Sequence, residues 1–324
     1  MELDAVSLGR TGTSVSEVAF GTWRFGREDD RGEIEVGRER AHALLDAYEA
    51  AGGRFIDTAD MYGGGLAERY VGEWLAERDR ADFVIASKIY WPTREADPNG
   101  RGLGRKHLRR QIDRILDRLG TDFVDLLYVH RWDDETPIGE FMRTLDGFVA
   151  DGSVHYLGTS TLEPNAWKVT KANEIARREG YEPFTIAQPR YNAVNREIEG
   201  NYLSMCEDYD IGVVPWSPLA GGFLTGKYDR NAEPPAGSRG ATDQQFVDSY
   251  LTPANFDALE TVEAVASEVG ASPAQVSLAW LLHHDRVVAP IVGARTPDQL
   301  RETLAATEVD LSDDQFQRVA RAGR

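Results

Sequence analysis

The feature that most constrains the fold is a repeated alternation of two patterns along the chain. Short apolar runs rich in strand formers alternate with segments whose apolar residues recur at helical spacing, as in Leu108, Ile112, Ile115 and Leu119. Strand, helix and strand in repetition require a parallel sheet with helices outside it. Eight runs are predicted to be strands: 18–22, 54–58, 83–88, 124–130, 154–160, 184–188, 211–216 and 287–292.

Eight strands is the number found in a closed barrel, which takes about 250 residues. The chain has 324 residues, enough for one such barrel, and we find no internal domain boundary. No G-x-G-x-x-G pattern follows the first strand, which argues against an open, doubly wound sheet. We therefore predict an α/β fold, a (β/α)8 TIM barrel formed by a single domain over residues 1–324. Residues 5–8 and 15–18 flank turn glycines and predict an N-terminal β-hairpin.

Late helix starts are well marked in the sequence. Ser272, Thr296 and Ser312 are each followed three residues later by a glutamine, the pattern of a capping box. The last of these predicts an extra C-terminal helix outside the barrel. Between the seventh strand and the next helix, near Phe256, we predict one long loop rich in glycine and proline, and loops of that length are usually functional.

The charge balance excludes some partners. The chain has 54 Asp and Glu against 36 Lys and Arg, a formal net charge of −18. Nucleic acid and anionic membranes need a basic surface, so we expect neither as a partner. No apolar run approaches the roughly 20 residues that span a bilayer, and no basic start precedes an apolar block. We expect a cytoplasmic protein with an acidic, salt-adapted surface, either monomer or homo-oligomer.

Polar side chains stand where three predicted strands end. Asp57, Lys88 and His130 close apolar runs, and Tyr62 follows Asp57 in the next loop. The C-terminal ends of barrel strands form one face, where chemistry gathers. Each residue alone has an ordinary explanation, such as a helix cap, a core edge or a solvated loop. Four complementary side chains at one face favour a catalytic site.

The chemistry of these four residue types suits proton transfer. A free tyrosine titrates near pH ~10 and is a poor acid at neutrality. A lysine ammonium beside it stabilises the phenolate and is expected to lower that pKa, while a carboxylate fixes the ammonium. A histidine can orient a carbonyl oxygen. The set suits proton delivery to a carbonyl as hydride arrives. We predict no metal, since the other histidines show no ligand spacing.

The sequence resembles the aldo-keto reductase superfamily over nearly its whole length. The run His130-Arg131-Trp132-Asp133, with Thr136-Pro137-Ile138 after it, resembles the aryl-alcohol-dehydrogenase-like branch of that superfamily. The matching motifs are Asp57-Thr58-Ala59-Asp60-Met61-Tyr62-Gly63, Ser87-Lys88, Leu126-Leu127-Tyr128-Val129-His130, Gly158-Thr159-Ser160, Gln188 with Tyr191-Asn192, Val214 to Gly222, and Ile291 to Arg295. The resemblance implies that Tyr62 is the general acid. It further implies that Lys88 and Asp57 tune Tyr62 and that His130 positions the substrate carbonyl.

The resemblance also implies a nicotinamide cofactor in the barrel mouth. Ser160 and Gln188 are expected to hold the carboxamide of the nicotinamide. Thr161 stands where many family members have an asparagine that makes a second contact with it. Trp216 is expected to stack on the nicotinamide ring. Arg295 can pair with a 2′-phosphate, which favours NADPH, with NADH possible as well. The remaining expected cofactor contacts are Gly21, Thr22, Trp23, Ser217, Leu219, Gly221, Leu224, Lys227, Gly293, Gln299 and Glu302.

Three tryptophans on strand-to-helix loops, Trp23, Trp91 and Trp132, are expected to line the substrate pocket. Aromatic walls and the branch resemblance together predict aromatic aldehydes as substrates of an NAD(P)H-dependent oxidoreductase. Two alternatives stay open. Potassium-channel β subunits resemble the same family, so a nucleotide-sensing subunit with little turnover is the first. The second, a metal-dependent barrel enzyme, lacks a ligand cluster in the sequence.

Overall fold

The computed structural model describes residues 2–29, 32–93, 97–161 and 165–323. Its first two strands pair antiparallel, as the predicted hairpin requires. The other eight form one curled parallel sheet. In chain order the strands are β1 (Ala5–Ser7), β2 (Ser14–Ser16), β3 (Ala19–Gly21), β4 (Phe55–Asp57), β5 (Val84–Ile89), β6 (Val124–Val129), β7 (Val154–Ser160), β8 (Phe184–Gln188), β9 (Gly212–Val213) and β10 (Ile291–Val292).

The parallel sheet closes on itself. Its strand order is β10-β3-β4-β5-β6-β7-β8-β9, so every neighbour after β3 follows in chain order. Backbone hydrogen bonds join the two ends: Val288 N donates to Val213 O at 2.8 Å, and Ile291 N donates to Pro215 O at 2.9 Å. Full closure removes both sheet edges, which would otherwise present unpaired backbone groups. The predicted (β/α)8 barrel is confirmed.

Helices surround the barrel. α10 is buried on almost every side because it packs against α9 and the segment after α11, whereas α12 packs on α9 as the predicted extra C-terminal helix. The helices are α1 (Arg38–Ala50), α2 (Leu66–Leu75), α3 (Arg105–Leu119), α4 (Ile138–Ala150), α5 (Ala166–Glu179), α6 (Asn201–Asp208), α7 (Arg239–Thr242), α8 (Gln244–Tyr250), α9 (Pro253–Val269), α10 (Pro273–Leu282), α11 (Pro297–Leu304) and α12 (Asp313–Ala322). None of those described is long and apolar enough to cross a membrane.

Two local predictions need correction. The long loop after β9 is broken by a 3₁₀ turn at Ala220–Thr225 and by α7 and α8, the latter capped by Asp243, whose Oδ1 accepts the Phe246 N–H. The capping boxes at Ser272 and Ser312 are complete. At Thr296 the box is only half formed, because the Gln299 side chain accepts the Arg295 N–H instead of the cap residue's own.

The apolar core lies in two layers. Alternate strand residues point inward, and the ring they form includes Phe55, Ala86, Leu126 and Ile186. Leu8 of the N-terminal hairpin packs into this ring and closes the lower end of the barrel. The larger layer lies between strands and helices. Polar side chains lie at the upper end of the barrel, where the C-terminal ends of the strands meet.

Candidate active site

Strand periodicity places the candidate residues at the inner mouth of the barrel. Side chains two residues apart on a strand share a face. The inner core includes Phe55, Ala86, Tyr128, Ile186 and Val214. Two positions beyond each of these stands a predicted functional residue, respectively Asp57, Lys88, His130, Gln188 and Trp216. The five predicted functional residues therefore share the inward face, at or just beyond the C-terminal ends of their strands.

Lys88 is the centre of the site. Its Nζ donates to Asp57 Oδ1 at 2.5 Å, to the Thr58 carbonyl at 2.8 Å and to the Tyr62 hydroxyl at 3.1 Å. An ammonium has three donors, so all of them are used. Lys88 and Asp57 are buried, while Tyr62 is half-buried. The structure thus brings together three of the four predicted catalytic residues and leaves the phenol partly accessible.

A glycine turn directs Tyr62 back towards Lys88. Gly63, Gly64 and Gly65 all have positive φ, at 55°, 65° and 95°, before α2 begins at Leu66. A Cβ on Gly63 would lie 2.5 Å from the Phe25 carbonyl oxygen, so this turn has no room for a side chain there. The glycines after the tyrosine are therefore required by the geometry of the site.

Burial sets the protonation of Tyr62. Burial raises the pKa of the phenol above its ordinary value of 10.0, and the attraction of Lys88 offsets this only in part. Lys88 thus lowers the pKa of the phenol, as expected, but burial outweighs this effect and the net shift is upward. For Lys88, burial lowers the pKa, but the Asp57 carboxylate and the Tyr62 phenol outweigh it and raise the pKa overall. At neutral pH the site holds a phenol beside an ammonium.

His130 lies next to the phenol. Its ring is edge-on to Tyr62, with centroids 5.9 Å apart, and its backbone N–H donates to the Ile89 carbonyl at 3.0 Å. Burial, and then the charge of Lys88, hold the pKa of the imidazole well below 6.5. Its Nδ1 is buried, and no described residue forms a hydrogen bond with it. A neutral imidazole keeps one N–H donor, which suits the orientation of a carbonyl oxygen.

Gln188 links Asp57 to Ser160, which is predicted to hold the carboxamide. Its Nε2 donates to Asp57 Oδ2 at 2.7 Å, and its Oε1 accepts from Ser160 Oγ at 3.2 Å. Thr161 Oγ1 lies 3.2 Å from the same hydroxyl, and its φ of 54° is strained for a β-branched residue. The sequence predicted Gln188 as a cofactor contact but missed its contact with Asp57. Either oxygen of Asp57 therefore has a donor.

β3, the neighbouring strand of the barrel, also contacts Asp57. Gly21 pairs with Asp57 in the sheet. The backbone N–H and the hydroxyl of Thr22 both donate to the Asp57 carbonyl, at 2.9 and 3.1 Å. The side chains of Thr22 and Asp57 are both buried. Thr22 therefore holds the backbone of β4 in place at Asp57.

The chain after β9 forms a cradle of turns. Trp216 is half-buried, and its Nε1 has no hydrogen-bond partner in the described part of the chain. Ser217 follows with a φ of 57°, fixed by Asn192 Nδ2, which donates to its carbonyl at 2.9 Å. Its Oγ accepts the Gly221 N–H at 3.2 Å. Strained backbone over a glycine-lined turn is typical of a site approached closely by a ligand.

The other predicted residues of this loop differ in exposure. Leu219 is half-buried and Lys227 is exposed, as contacts to a ligand require. Leu224 is fully buried in the outer core, so its side chain packs beneath the turn.

The predicted adenosine residues lie where β10 meets α11. Gly293, Arg295, Gln299 and Glu302 are all exposed there. The Gln299 side chain accepts the Arg295 N–H at 3.0 Å. Arg295 Nη2 lies 3.6 Å from Glu35 Oε2, a contact that the sequence did not indicate.

The three predicted pocket tryptophans have different surroundings. Trp91 is half-buried, with its ring edge-on to His130 at 6.4 Å between centroids. Trp23 is 38% exposed and stacks under the Arg27 guanidinium at 3.6 Å. Trp132 is buried edge-on against Phe141, so little of its ring can meet a ligand. Trp91 thus lies beside His130, one of the predicted catalytic residues.

Sequence reasoning missed a buried polar group behind the site. Glu68 Oε1 accepts from Ser87 Oγ and its Oε2 from Arg118 Nε, both at 2.6 Å. Asp60 is buried close to this group, and its pKa is raised well above the ordinary value by burial and then by Glu68. The available signal was a charged residue, Glu68, on the apolar side of α2.

Comparison with known proteins identifies the family. Residues 17–324 match the Aldo/keto reductase family. The chain belongs to that family. It is 36% identical to norsolorinic acid reductase B of Aspergillus parasiticus, over 95% of this chain and 81% of that protein. Family members use nicotinamide cofactors and reduce small carbonyl compounds, so membership supports carbonyl reduction here.

Two further relatives differ in their names. A probable voltage-gated potassium channel subunit beta of Oryza sativa subsp. japonica is 35% identical, over 94% of this chain and 90% of the relative. An aryl-alcohol dehydrogenase of Pestalotiopsis microspora is 33% identical, over 94% of this chain and 78% of that protein. In the described part of this aldo/keto reductase, no group of three or more His, Cys, Asp or Glu side chains is arranged to hold a metal ion.

Proposed function

We propose that this aldo/keto reductase reduces aldehydes or ketones to alcohols, with NADPH as hydride donor and NADH as a second one. The observation that carries the proposal is the Lys88 ammonium, which binds the Asp57 carboxylate on one side and the Tyr62 hydroxyl on the other. Such an arrangement is suited to release a phenolic proton and to stabilise the phenolate that remains.

The proposed roles follow from the contacts. A bound nicotinamide supplies the hydride. Tyr62 donates its proton to the carbonyl oxygen, because its raised pKa keeps it protonated at neutral pH. Lys88 stabilises the phenolate, and Asp57 holds Lys88 in place. His130, neutral and 5.9 Å from the phenol ring, donates a hydrogen bond to the same carbonyl oxygen.

The residues present fit a nicotinamide dinucleotide. Trp216 offers a half-buried ring whose Nε1 has no hydrogen-bond partner among the described residues. The Ser160 hydroxyl and the Gln188 amide are hydrogen-bonded to each other at the ends of β7 and β8. Glycines with positive φ at positions 221 and 222 let the backbone approach a pyrophosphate. In the proposal the carboxamide binds Ser160 and Gln188. The remaining proposed contacts are Gly21, Thr22, Trp23, Thr161, Ser217, Leu219, Leu224, Lys227, Gly293, Arg295, Gln299 and Glu302.

Aromatic aldehydes are the proposed substrate class. Trp91 lies edge-on to His130, and a flat ring can pack against it. The name of the Pestalotiopsis relative, an aryl-alcohol dehydrogenase, supports the same class. A second candidate, a nucleotide-sensing subunit, is favoured by the similarity to the rice channel subunit. The intact contacts of Lys88 favour the reductase over the sensor.

The test is NADPH consumption, followed by absorbance in molar KCl, with matched aromatic and aliphatic aldehydes. We expect turnover with both and higher kcat/KM for the aromatic series. Equal or higher kcat/KM for the aliphatic series would overturn the substrate class. Tight NADPH binding with no turnover on any aldehyde would overturn the reductase and favour the sensor.

A further inference from the structure

Three arginines meet one carboxylate beside the mouth of the barrel. Arg24 Nη1 donates to Glu35 Oε2, Arg295 Nη2 lies 3.6 Å from the same oxygen, and Arg27 Nη1 lies 3.7 Å from Oε1. The Glu35 side chain is only 10% exposed, whereas that of Arg295 is 50% exposed. The Glu35 carboxylate is therefore largely buried among three guanidinium groups, and the Arg295 side of this group is exposed to solvent.

Backbone hydrogen bonds fix this carboxylate in place. Glu35 belongs to the loop between β3 and α1, where Gly26 N donates to Val36 O and Glu35 N donates to Arg27 O, both at 2.9 Å. On the other side, the Gln299 side chain holds the Arg295 backbone at the start of α11. Glu35 and Arg295 therefore come from opposite ends of the barrel sequence and meet at a defined place.

The two side chains have opposite preferences for a nucleotide. A guanidinium pairs with a phosphate, which favours NADPH when it lies near the ribose. A carboxylate in that position accepts a hydrogen bond from a 2′-hydroxyl and repels a 2′-phosphate, which favours NADH. Here the Glu35 carboxylate and the arginines lie together, and the carboxylate forms ion pairs with the guanidinium groups that a 2′-phosphate would need.

We propose that Glu35 is a specificity-determining residue that lowers the preference for NADPH over NADH by competing with the 2′-phosphate for Arg24, Arg27 and Arg295. This inference rests on the proposed function, because it assigns the adenosine half of the cofactor to the start of α11. It predicts a protein that accepts both nucleotides until the carboxylate is neutralised.

The experiment measures dissociation constants, so turnover is not needed. NADPH and NADH are titrated into the wild type, Glu35→Gln and the control Glu28→Gln in about 1 M KCl. Glu28 is an exposed carboxylate of the same loop. At that salt concentration the Debye length is ~3 Å, so long-range effects of net charge are screened. The control measures whatever effect of the lost charge remains. The ratio of the NADH constant to the NADPH constant should rise about tenfold in Glu35→Gln, the size of one charge-assisted hydrogen bond, and stay unchanged in Glu28→Gln.

An unchanged ratio in Glu35→Gln, or an equal rise in both variants, would overturn the proposal. The fragments 2′,5′-ADP and 5′-AMP are titrated in parallel, since they carry the adenosine half alone. If neither dinucleotide binds the wild type, the proposed function fails, and the fragment ratio still decides the role of Glu35. Thermal unfolding checks that the variants are folded. Glu35→Asp, which keeps the charge on a shorter side chain, should shift the ratio less than Glu35→Gln, and an equal shift would contradict the role of charge.

Discussion

Two ionic groups lie at the mouth of the barrel, and they differ in their contact with water. The side chains of Lys88 and Asp57 are 0% and 4% exposed. Around Glu35, the side chains of Arg24 and Arg295 are 26% and 50% exposed. Buried charges are weakly screened and depend strongly on their partners, whereas half-exposed charges can exchange a partner for water or a ligand. The inner group has a fixed arrangement suited to chemistry, and the outer one is suited to recognition.

The largest effect on stability is expected from breaking the inner pair. Asp57→Asn leaves the Lys88 ammonium buried without its counter-charge, which costs about 3–5 kcal/mol. The control is Asp46→Asn, the same change at a side chain that is 56% exposed and pairs with Arg78. Exposed pairs contribute about 0–1 kcal/mol. Chemical denaturation measures both free energies of unfolding. Equal losses would show that the two environments do not differ as described.

The inner group also predicts the pH dependence of the reaction. Tyr62 keeps its proton because its pKa is raised above 10.0, and His130 stays neutral because its pKa is held well below 6.5. The rate of carbonyl reduction should therefore be flat between pH 6.5 and 10.0 and fall above that range as the phenol loses its proton. Alcohol oxidation, which needs the phenolate, should rise over the same upper range. A reduction profile with a midpoint near pH 7 would contradict this assignment.

The smallest effect on stability is expected in the outer group. Arg295→Ala should change the free energy of unfolding by no more than about 1 kcal/mol, since the side chain is half exposed and two other arginines remain at Glu35. The same variant should bind NADPH more weakly, with a smaller change for NADH. Equal weakening of both nucleotides in titrations would mean that Arg295 does not contact the 2′-phosphate.

The inner group was predictable from the sequence because it follows strand periodicity. Asp57, Lys88, His130 and Gln188 each end an apolar run, and the eight runs themselves required a barrel. Local patterns of this kind depend only on neighbours along the chain. The hairpin and the C-terminal helix were predictable for the same reason, from turn glycines and from a capping serine at position 312.

Features that depend on contacts across the fold were not predictable. Glu35 meets Arg295 over a separation of 260 residues along the chain, and no local pattern marks that contact. The direction of the Tyr62 pKa shift depends on how deeply the phenol is buried, which outweighs the lysine that the sequence does reveal. Gln299 was predicted to complete a capping box, but the nearby Arg295 N–H takes its side chain instead.

The central claim is that Tyr62 is the proton donor of a buried catalytic group, and Tyr62→Phe tests it most directly. Benzaldehyde reduction and NADPH binding are measured in this variant and in Tyr70→Phe, a half-buried tyrosine on α2. We expect Tyr62→Phe to lower kcat by about 10²–10⁴-fold with little change in the NADPH dissociation constant, because only the donor is deleted. Tyr70→Phe should leave both unchanged. Wild-type kcat in Tyr62→Phe, or a loss of NADPH binding equal to the loss of turnover, would contradict the claim.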